Sequence, residues 1–159
     1  MKIIEVKFKK LHELATIPKQ AHPSLSGGWD VTATEIIQEH EDFVIVKLGF
    51  ALEVPVGYKV TLVPRSSFTK TKWILQNSPG LGDCDYRGEY QYRFRALPYG
   101  VKYISDLNSY ALEYPEPPYK VGDTVGQIYI EEVIGTKFIV SDTLSDTDRG
   151  DGGFGSTTK

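Results

Sequence analysis

Apolar and polar residues alternate with a period of two along much of the chain. This is the pattern of strands that turn one face to a core. Across Tyr58–Val63, Lys59 and Thr61 alternate with Val60 and Leu62; Tyr90, Tyr92 and Phe94 alternate with Gln91, Arg93 and Arg95 in the same way. Further β-rich runs are Ile3–Phe8, Phe43–Val54, Val125–Ile130 and Val133–Val140. A bend is expected at Gly49, and Pro55-Val56-Gly57 closes the run that contains it. No apolar period of 3.6 residues persists over several turns, so Ser66–Lys72 has room for one or two helical turns at most. Short strands punctuated by Gly and Pro predict an all-β sandwich, jelly roll or barrel.

Ala96–Pro118 breaks the rhythm. It is rich in Tyr and Pro, with weak strand signals at Val101–Ile104 and Ala111–Tyr114. Long excursions of this kind tend to be functional or disordered. The tyrosines argue against disorder, which leaves a surface hairpin or a protein-binding insertion.

Composition narrows the class. At 159 residues, 40% apolar and 25% charged, the chain fits one soluble domain. It has no run of 18 apolar residues, so no membrane span is expected, and Met1–Lys7 lacks the apolar stretch of a signal peptide. The single Cys84 cannot form an internal disulfide and suits the cytoplasm. With only His12, His22 and His40 beside it, a zinc cluster is not supplied. A net charge of −3 argues against stable nucleic-acid binding. A small anion remains possible where arginines and a metal ion gather positive charge.

Five stretches carry candidate chemistry. Arg149-Gly150-Asp151-Gly152-Gly153-Phe154-Gly155-Ser156-Thr157 places an arginine, flexible backbone N–H groups and one aromatic together. That set suits an anion-binding arm, and a frayed terminus is the plainer reading. Asn77–Glu89 carries turn residues at both ends and Asp83 and Asp85 two apart; on a β-hairpin both carboxylates would share a face. Such a carboxylate can act as general base for water or simply close a turn. Arg65-Ser66-Ser67 follows a strand, as a phosphate clamp or as an N-cap serine opening a short turn. Gln127 brings donors and acceptors into an apolar strand, for a ligand or a neighbouring loop. Asp30, after Gly27-Gly28-Trp29, can bind its own turn or hold a metal-bound water, and the structural role is favoured.

The order of these stretches is more specific than any one of them. Gly-Trp-Asp-Val, Pro-Arg-Ser-Ser, Asn-Ser-Pro-Gly-x-x-Asp-x-Asp-Tyr-Arg-Gly-Glu, Gly-Asp-x-x-x-Gln and Arg-Gly-x-Gly-Gly-Phe-Gly-Ser-Thr together resemble the motifs of the trimeric deoxyuridine triphosphatase (dUTPase) family. The resemblance runs from about Trp29 to Thr157 and leaves out Ala96–Pro118. It implies a distorted jelly-roll subunit over residues 1–148, a homotrimer with sites shared between subunits, and a mobile arm at 149–159 that closes the site. It also implies hydrolysis of dUTP to dUMP and pyrophosphate, limiting uracil in DNA and supplying dUMP for thymidylate synthesis. Asp83 would activate the water that attacks the α-phosphorus. Tyr86 would lie under the deoxyribose, placed so that a 2′-hydroxyl would clash, and Asn77 with the hairpin backbone from Gly80 to Asp83 would read uracil. Arg65, Ser66, Ser67, Gln127 and Arg149 would bind phosphates, Phe154 would close over uracil, and Gly155, Ser156 and Thr157 would complete the phosphate site. Mg²⁺ would be held mainly by the triphosphate and water, with Asp30 in reach of a metal-bound water.

Departures from the family pattern are Gly82 for the usual Ile before the catalytic Asp, Thr124-Val125-Gly126-Gln127 for the usual Arg-Ile-Ala-Gln, Trp29 for the common Tyr and Thr158 for a terminal Gly. Gly82 is expected to loosen the hairpin. The alternatives are a dCTP deaminase-like enzyme, which shares the fold, and a regulatory protein that binds a partner through residues 96–118.

Overall fold

The computed structural model describes residues 3–153. Its strands are β1 Lys7–Lys10, β2 Trp29–Thr32, β3 Glu35–His40, β4 Phe43–Lys47, β5 Phe50–Glu53, β6 Tyr58–Pro64, β7 Trp73–Leu75, β8 Gly80–Gly82, β9 Gln91–Ala96, β10 Gly100–Ile104, β11 Ser109–Glu113 and β12 Thr124–Glu132. Two four-stranded antiparallel sheets, ordered β2-β12-β6-β8 and β3-β4-β9-β7, make up the body. Small antiparallel pairs β1-β5 and β10-β11 complete the all-β, jelly-roll architecture. Among the described residues the only helical pieces are short 3-10 turns at Ser66–Lys70 and Ser105–Leu107.

The alternation in the sequence decides which residues meet between the sheets. Val60 and Leu62 of β6 and Val125 and Ile128 of β12 share one core with Val44 and Val46 of β4 and Tyr92 and Phe94 of β9. Tyr92 spans the layers. Its ring is fully buried in one sheet, and its hydroxyl lies 2.9 Å from the Gln127 carbonyl and 3.1 Å from that of Val63, in the other. A Cβ at residue 126 would lie 2.3 Å from the Tyr92 Cζ and Oη, so the close approach requires Gly126. The departure from Ala at this position therefore accompanies a bulky bridge, not a looser strand. We expect Gly126→Ala to destabilise the protein by about 3 kcal/mol, because the hydrogen-bonded ring cannot yield to the added methyl. Denaturant unfolding checks this, and an unchanged midpoint would show that the bridge can shift.

Gly49 makes the expected corner at φ +69°, splitting Phe43–Val54 into β4 and β5. Two other strands differ from expectation. The N-terminal strand spans Lys7–Lys10 instead of Ile3–Phe8, because its partner β5 offers only Phe50–Glu53 and Pro55, just beyond, has no N–H to donate. Val133–Val140 forms no strand among the described residues. β12 already has neighbours on both sides and Val133 leaves it, donating its N–H to the Gly57 carbonyl at 2.7 Å. Beyond that point Phe138 is 93% exposed and Val140 98%, so the apolar run finds no cover among the described residues.

The excursion is a hairpin, β10-β11, with Val101, Tyr103, Tyr110 and Leu112 exposed on one face. Its return leg is anchored, since the Trp73 indole N–H donates to the Glu116 carbonyl at 2.9 Å and Tyr119 stacks on Phe68.

Candidate active site

Strand β6 organises the candidate residues. On one side β12 sets Gln127 opposite Val63 and Gly126 opposite Pro64, next to Arg65. On the other side β8 sets Gly80 opposite Leu62 and Gly82 opposite Val60. Strand β6 thus leads into Arg65, Ser66 and Ser67, the expected clamp, at its C-terminal end and has the Asn77–Glu89 segment along one edge.

At the clamp end, Arg65 itself occupies the cap of the 3-10 turn, and its side chain makes no capping bond. The expected N-cap serine is therefore corrected. Main-chain bonds close the turn instead, with the Phe68 N–H donating to the Arg65 carbonyl at 3.0 Å. Phe68 is the buried anchor, packed on Phe94 at 4.8 Å, and Arg65, Ser66 and Ser67 are left exposed beside it. Burial pushes the Tyr119 phenol pKa up, and the Arg65 charge acts in the opposite direction.

Gln127 is half-buried, and its Nε2 donates to Asp30 Oδ1 at 2.9 Å. Asp30 is also bridged to Lys19 through the main chain in both directions. This fits the structural role favoured for Asp30, and it holds the Gln127 amide in a set orientation beside the clamp. The sequence could not reveal a pair 97 positions apart.

The Asn77–Glu89 hairpin is not the paired β-hairpin expected: β8 pairs with β6 while β9, which follows, pairs with β4 and β7, so this bend carries the chain from one sheet to the other. β8 ends at Gly82, and Asp83–Tyr86 is a turn in which the Tyr86 N–H donates to the Asp83 carbonyl at 3.1 Å. Asp83 and Asp85 are therefore exposed turn residues and not alternate positions of one strand face. The Arg87 guanidinium donates to the Cys84 carbonyl at 2.7 Å and buttresses this turn. Asn77 is tied to β9 at both ends of its amide, donating to the Gln91 carbonyl at 3.1 Å and accepting from the Arg93 N–H at 2.9 Å. An amide has two N–H groups and two lone pairs, so one of each remains for a ligand. The Tyr86 ring is 42% exposed, with its hydroxyl on the Glu89 carbonyl at 3.0 Å and its plane at 88° to that of Tyr90.

Tyr90 is the residue sequence reasoning missed here. The alternation marks it as inward-facing, but nothing in the sequence shows that its phenol reaches beneath Gly82. Burial pushes its pKa up to about 12.

Val60, opposite Gly82, and Arg65 are separated along β6 by a strand length of roughly 17 Å. In the third region, Arg149 is exposed and, among the described residues, its Nε donates to the nearby Gly152 carbonyl at 2.7 Å. Phe154, Gly155, Ser156 and Thr157 lie outside the described residues. Among the described residues no cluster of three His, Cys, Asp or Glu side chains could hold a metal ion. Nor is any helix among the described residues long and apolar enough to cross a membrane.

No protein-family model matches the chain. A deoxyuridine 5′-triphosphate nucleotidohydrolase of Thermobifida fusca is 32% identical over 157 residues, covering 97% of this chain and 79% of that protein. The protein of that name from Picosynechococcus is 34% identical over 157 residues, covering 97% and 99%. Among solved structures, the dUTPase of Staphylococcus bacteriophage 80alpha with dUPNHPP superposes with a TM-score of 0.74 at 19% identity, covering 96% and 98% of the two chains. The dUTPase of phage phi11 of S. aureus, with a species-specific insert, superposes with a TM-score of 0.66 at 17% identity, covering 90% and 99%.

Proposed function

The chain belongs to the deoxyuridine 5′-triphosphate nucleotidohydrolase family, and we propose that it hydrolyses dUTP to dUMP and pyrophosphate in a site shared between subunits. The observation that carries this reading is the Asp83–Tyr86 turn. One rigid turn presents an exposed carboxylate and an exposed aromatic ring, and the hairpin bearing it is bonded to β6 and β9.

In the reaction, Asp83 takes a proton from water as that water attacks the α-phosphorus; the α–β bridging bond breaks and pyrophosphate leaves. Asn77 and the backbone between Gly80 and Asp83 hold the uracil, and Tyr86 packs against the deoxyribose. Arg65, Ser66, Ser67 and Gln127 bind the phosphates of the same nucleotide. Arg149, Gly155, Ser156 and Thr157 add donors from the arm, and Phe154 covers the base. Water exclusion then strengthens each polar contact inside.

The separation along β6 supports assembly from several subunits, since the clamp of one subunit can meet the hairpin of another. A homotrimer closes such a site by symmetry. Two apolar surfaces also call for cover. One is the run at 133–144, in which Ile134, Phe138, Ile139, Val140 and Leu144 are exposed. The other is a groove of about 620 Å³ whose lining includes Phe8, Trp29, Leu52 and Ile128.

A Mg²⁺ ion would be carried mainly by the triphosphate and water. Asp30, already oriented by Gln127, would receive a metal-bound water. The ion would supply charge neutralisation along the phosphates. A solved relative, the phi11 phage dUTPase, coordinates a structural Mg(II) ion. The direct test is release of pyrophosphate from dUTP with Mg²⁺, with dCTP assayed in parallel for deamination. We expect turnover of dUTP, its loss on adding EDTA and its return with excess Mg²⁺. Deamination of dCTP without dUTP hydrolysis would replace this reading by the deaminase one.

A further inference from the structure

We propose that Tyr90 is a positioning residue for the sugar-reading part of the site. It sets the place of the Tyr86 ring and the Asp83 turn, and through them the discrimination against a 2′-hydroxyl. The proposal rests on the reading of residues 77–89 as the nucleoside hairpin of a dUTP hydrolase.

Tyr90 is fixed before it reaches the site. Its N–H donates to the Phe50 carbonyl at 3.0 Å, and its carbonyl accepts from the Leu48 N–H at 3.1 Å. The neighbouring Glu89 carboxylate accepts from the Gly49 N–H at 2.9 Å, so residues 89 and 90 are bonded around the β4-β5 corner. The ring stacks on Phe50 with centroids 5.8 Å apart, and Phe50 packs on Phe8 at 5.1 Å. Only 3% of Tyr90 is exposed.

From this base the phenol extends beneath the hairpin. A Cβ at residue 82 would stand 2.5 Å from Tyr90 Oη and 2.7 Å from its Cε1. Tyr90 therefore occupies the space a side chain at position 82 would fill, and Gly82 is the residue that admits it. The expectation of a loosened hairpin is corrected by this contact, since the support missing from residue 82 comes from below.

The other side of the same ring meets Tyr86, edge to face, with centroids 5.4 Å apart. Tyr86 is thus held at two points, by the Glu89 carbonyl at its hydroxyl and by Tyr90 at its ring. The Tyr90 hydroxyl makes no hydrogen bond to a described residue, so shape carries the support and the phenolic oxygen adds no bond. A ring that rejects a 2′-hydroxyl must keep its distance from the sugar, and a shift of about 1 Å in such a contact is worth up to about 10²-fold.

The experiment compares wild type, Tyr90→Phe, Tyr90→Leu, Tyr90→Val and the double variant Tyr90→Val with Gly82→Ile. It measures kcat/KM for dUTP and for UTP with Mg²⁺, and thermal unfolding of each protein. The proposal expects Tyr90→Phe to keep the dUTP/UTP ratio within about twofold, and Tyr90→Leu to lower it by about tenfold or more. Adding Gly82→Ile to Tyr90→Val refills the vacated space from the hairpin side, and the ratio should return toward wild type. A folded Tyr90→Leu protein with the wild-type ratio overturns the proposal, as does a Tyr90→Phe protein as indiscriminate as Tyr90→Leu. If Tyr90→Leu does not fold, the double variant decides: a ratio near wild type supports the proposal, and a collapsed ratio in a folded double variant overturns it. Wild-type protein inert toward dUTP is a different result and removes the underlying function instead.

Discussion

Asp83→Asn is expected to lower dUTP turnover by about 10²–10⁴-fold, the range for loss of a positioned general base. The thermal unfolding midpoint should stay where it is. The substitution keeps the size of the side chain and removes its ability to take a proton. Asp83 is exposed, and the bond that shapes its turn, from the Tyr86 N–H, goes to its main-chain carbonyl. The Arg87 buttress likewise reaches main-chain oxygens, those of Cys84 and Tyr86. Nothing that folds the hairpin depends on the carboxylate. Pyrophosphate release under saturating dUTP, paired with a melting curve, separates chemistry from folding. Turnover within a few-fold of wild type would assign the base elsewhere.

A chain ending at Asp148 is expected to fold as well as the full-length protein and to lose most of its turnover. The buried apolar core has its last member at Ile128, so residues 149–159 remove no core contact among those described. Among the described residues the Arg149 guanidinium bonds within its own turn, to the Gly152 carbonyl. The loss of function follows from the proposed role of the arm. Removing one preorganised donor to a developing charge costs about 10²–10³-fold, and the arm would supply several donors together with the cover over the base. Steady-state turnover of the shortened chain checks this. Normal turnover would reduce the arm to a terminus without function.

Much of this arrangement was legible in the residues because strand periodicity is a local property. Tyr58–Val63 and the Tyr90, Tyr92, Phe94 series gave β6 and β9 with their inward faces, and Gly49 gave the corner. The motif order singled out Asn77–Glu89 and Arg65–Ser67, which the fold sets along one edge of β6, at β8, and just beyond its end. Val133–Val140 misled because strand propensity reports what a segment can pair with, and this chain leaves it no edge beside β12. Asp83 and Asp85 were expected on a strand face, yet β8 ends at Gly82, before either carboxylate. The two glycine departures were illegible for a different reason. Gly82 and Gly126 look like losses in the sequence, and only the fold shows a tyrosine, 90 or 92, filling each space. The bond between Gln127 and Asp30 joins distant stretches and is set by the β2-β12 register.

The central claim is a dUTP-hydrolysing site assembled from different subunits. It is tested most directly by complementation between the two inactive proteins described above. Asp83→Asn chains supply an intact arm, and chains ending at Asp148 supply an intact Asp83. Refolded together, they should form mixed oligomers in which some sites receive both parts. The account predicts pyrophosphate release from dUTP by the mixture at a rate neither protein shows alone. A mixture that forms hybrid oligomers and remains as inactive as its components would contradict it.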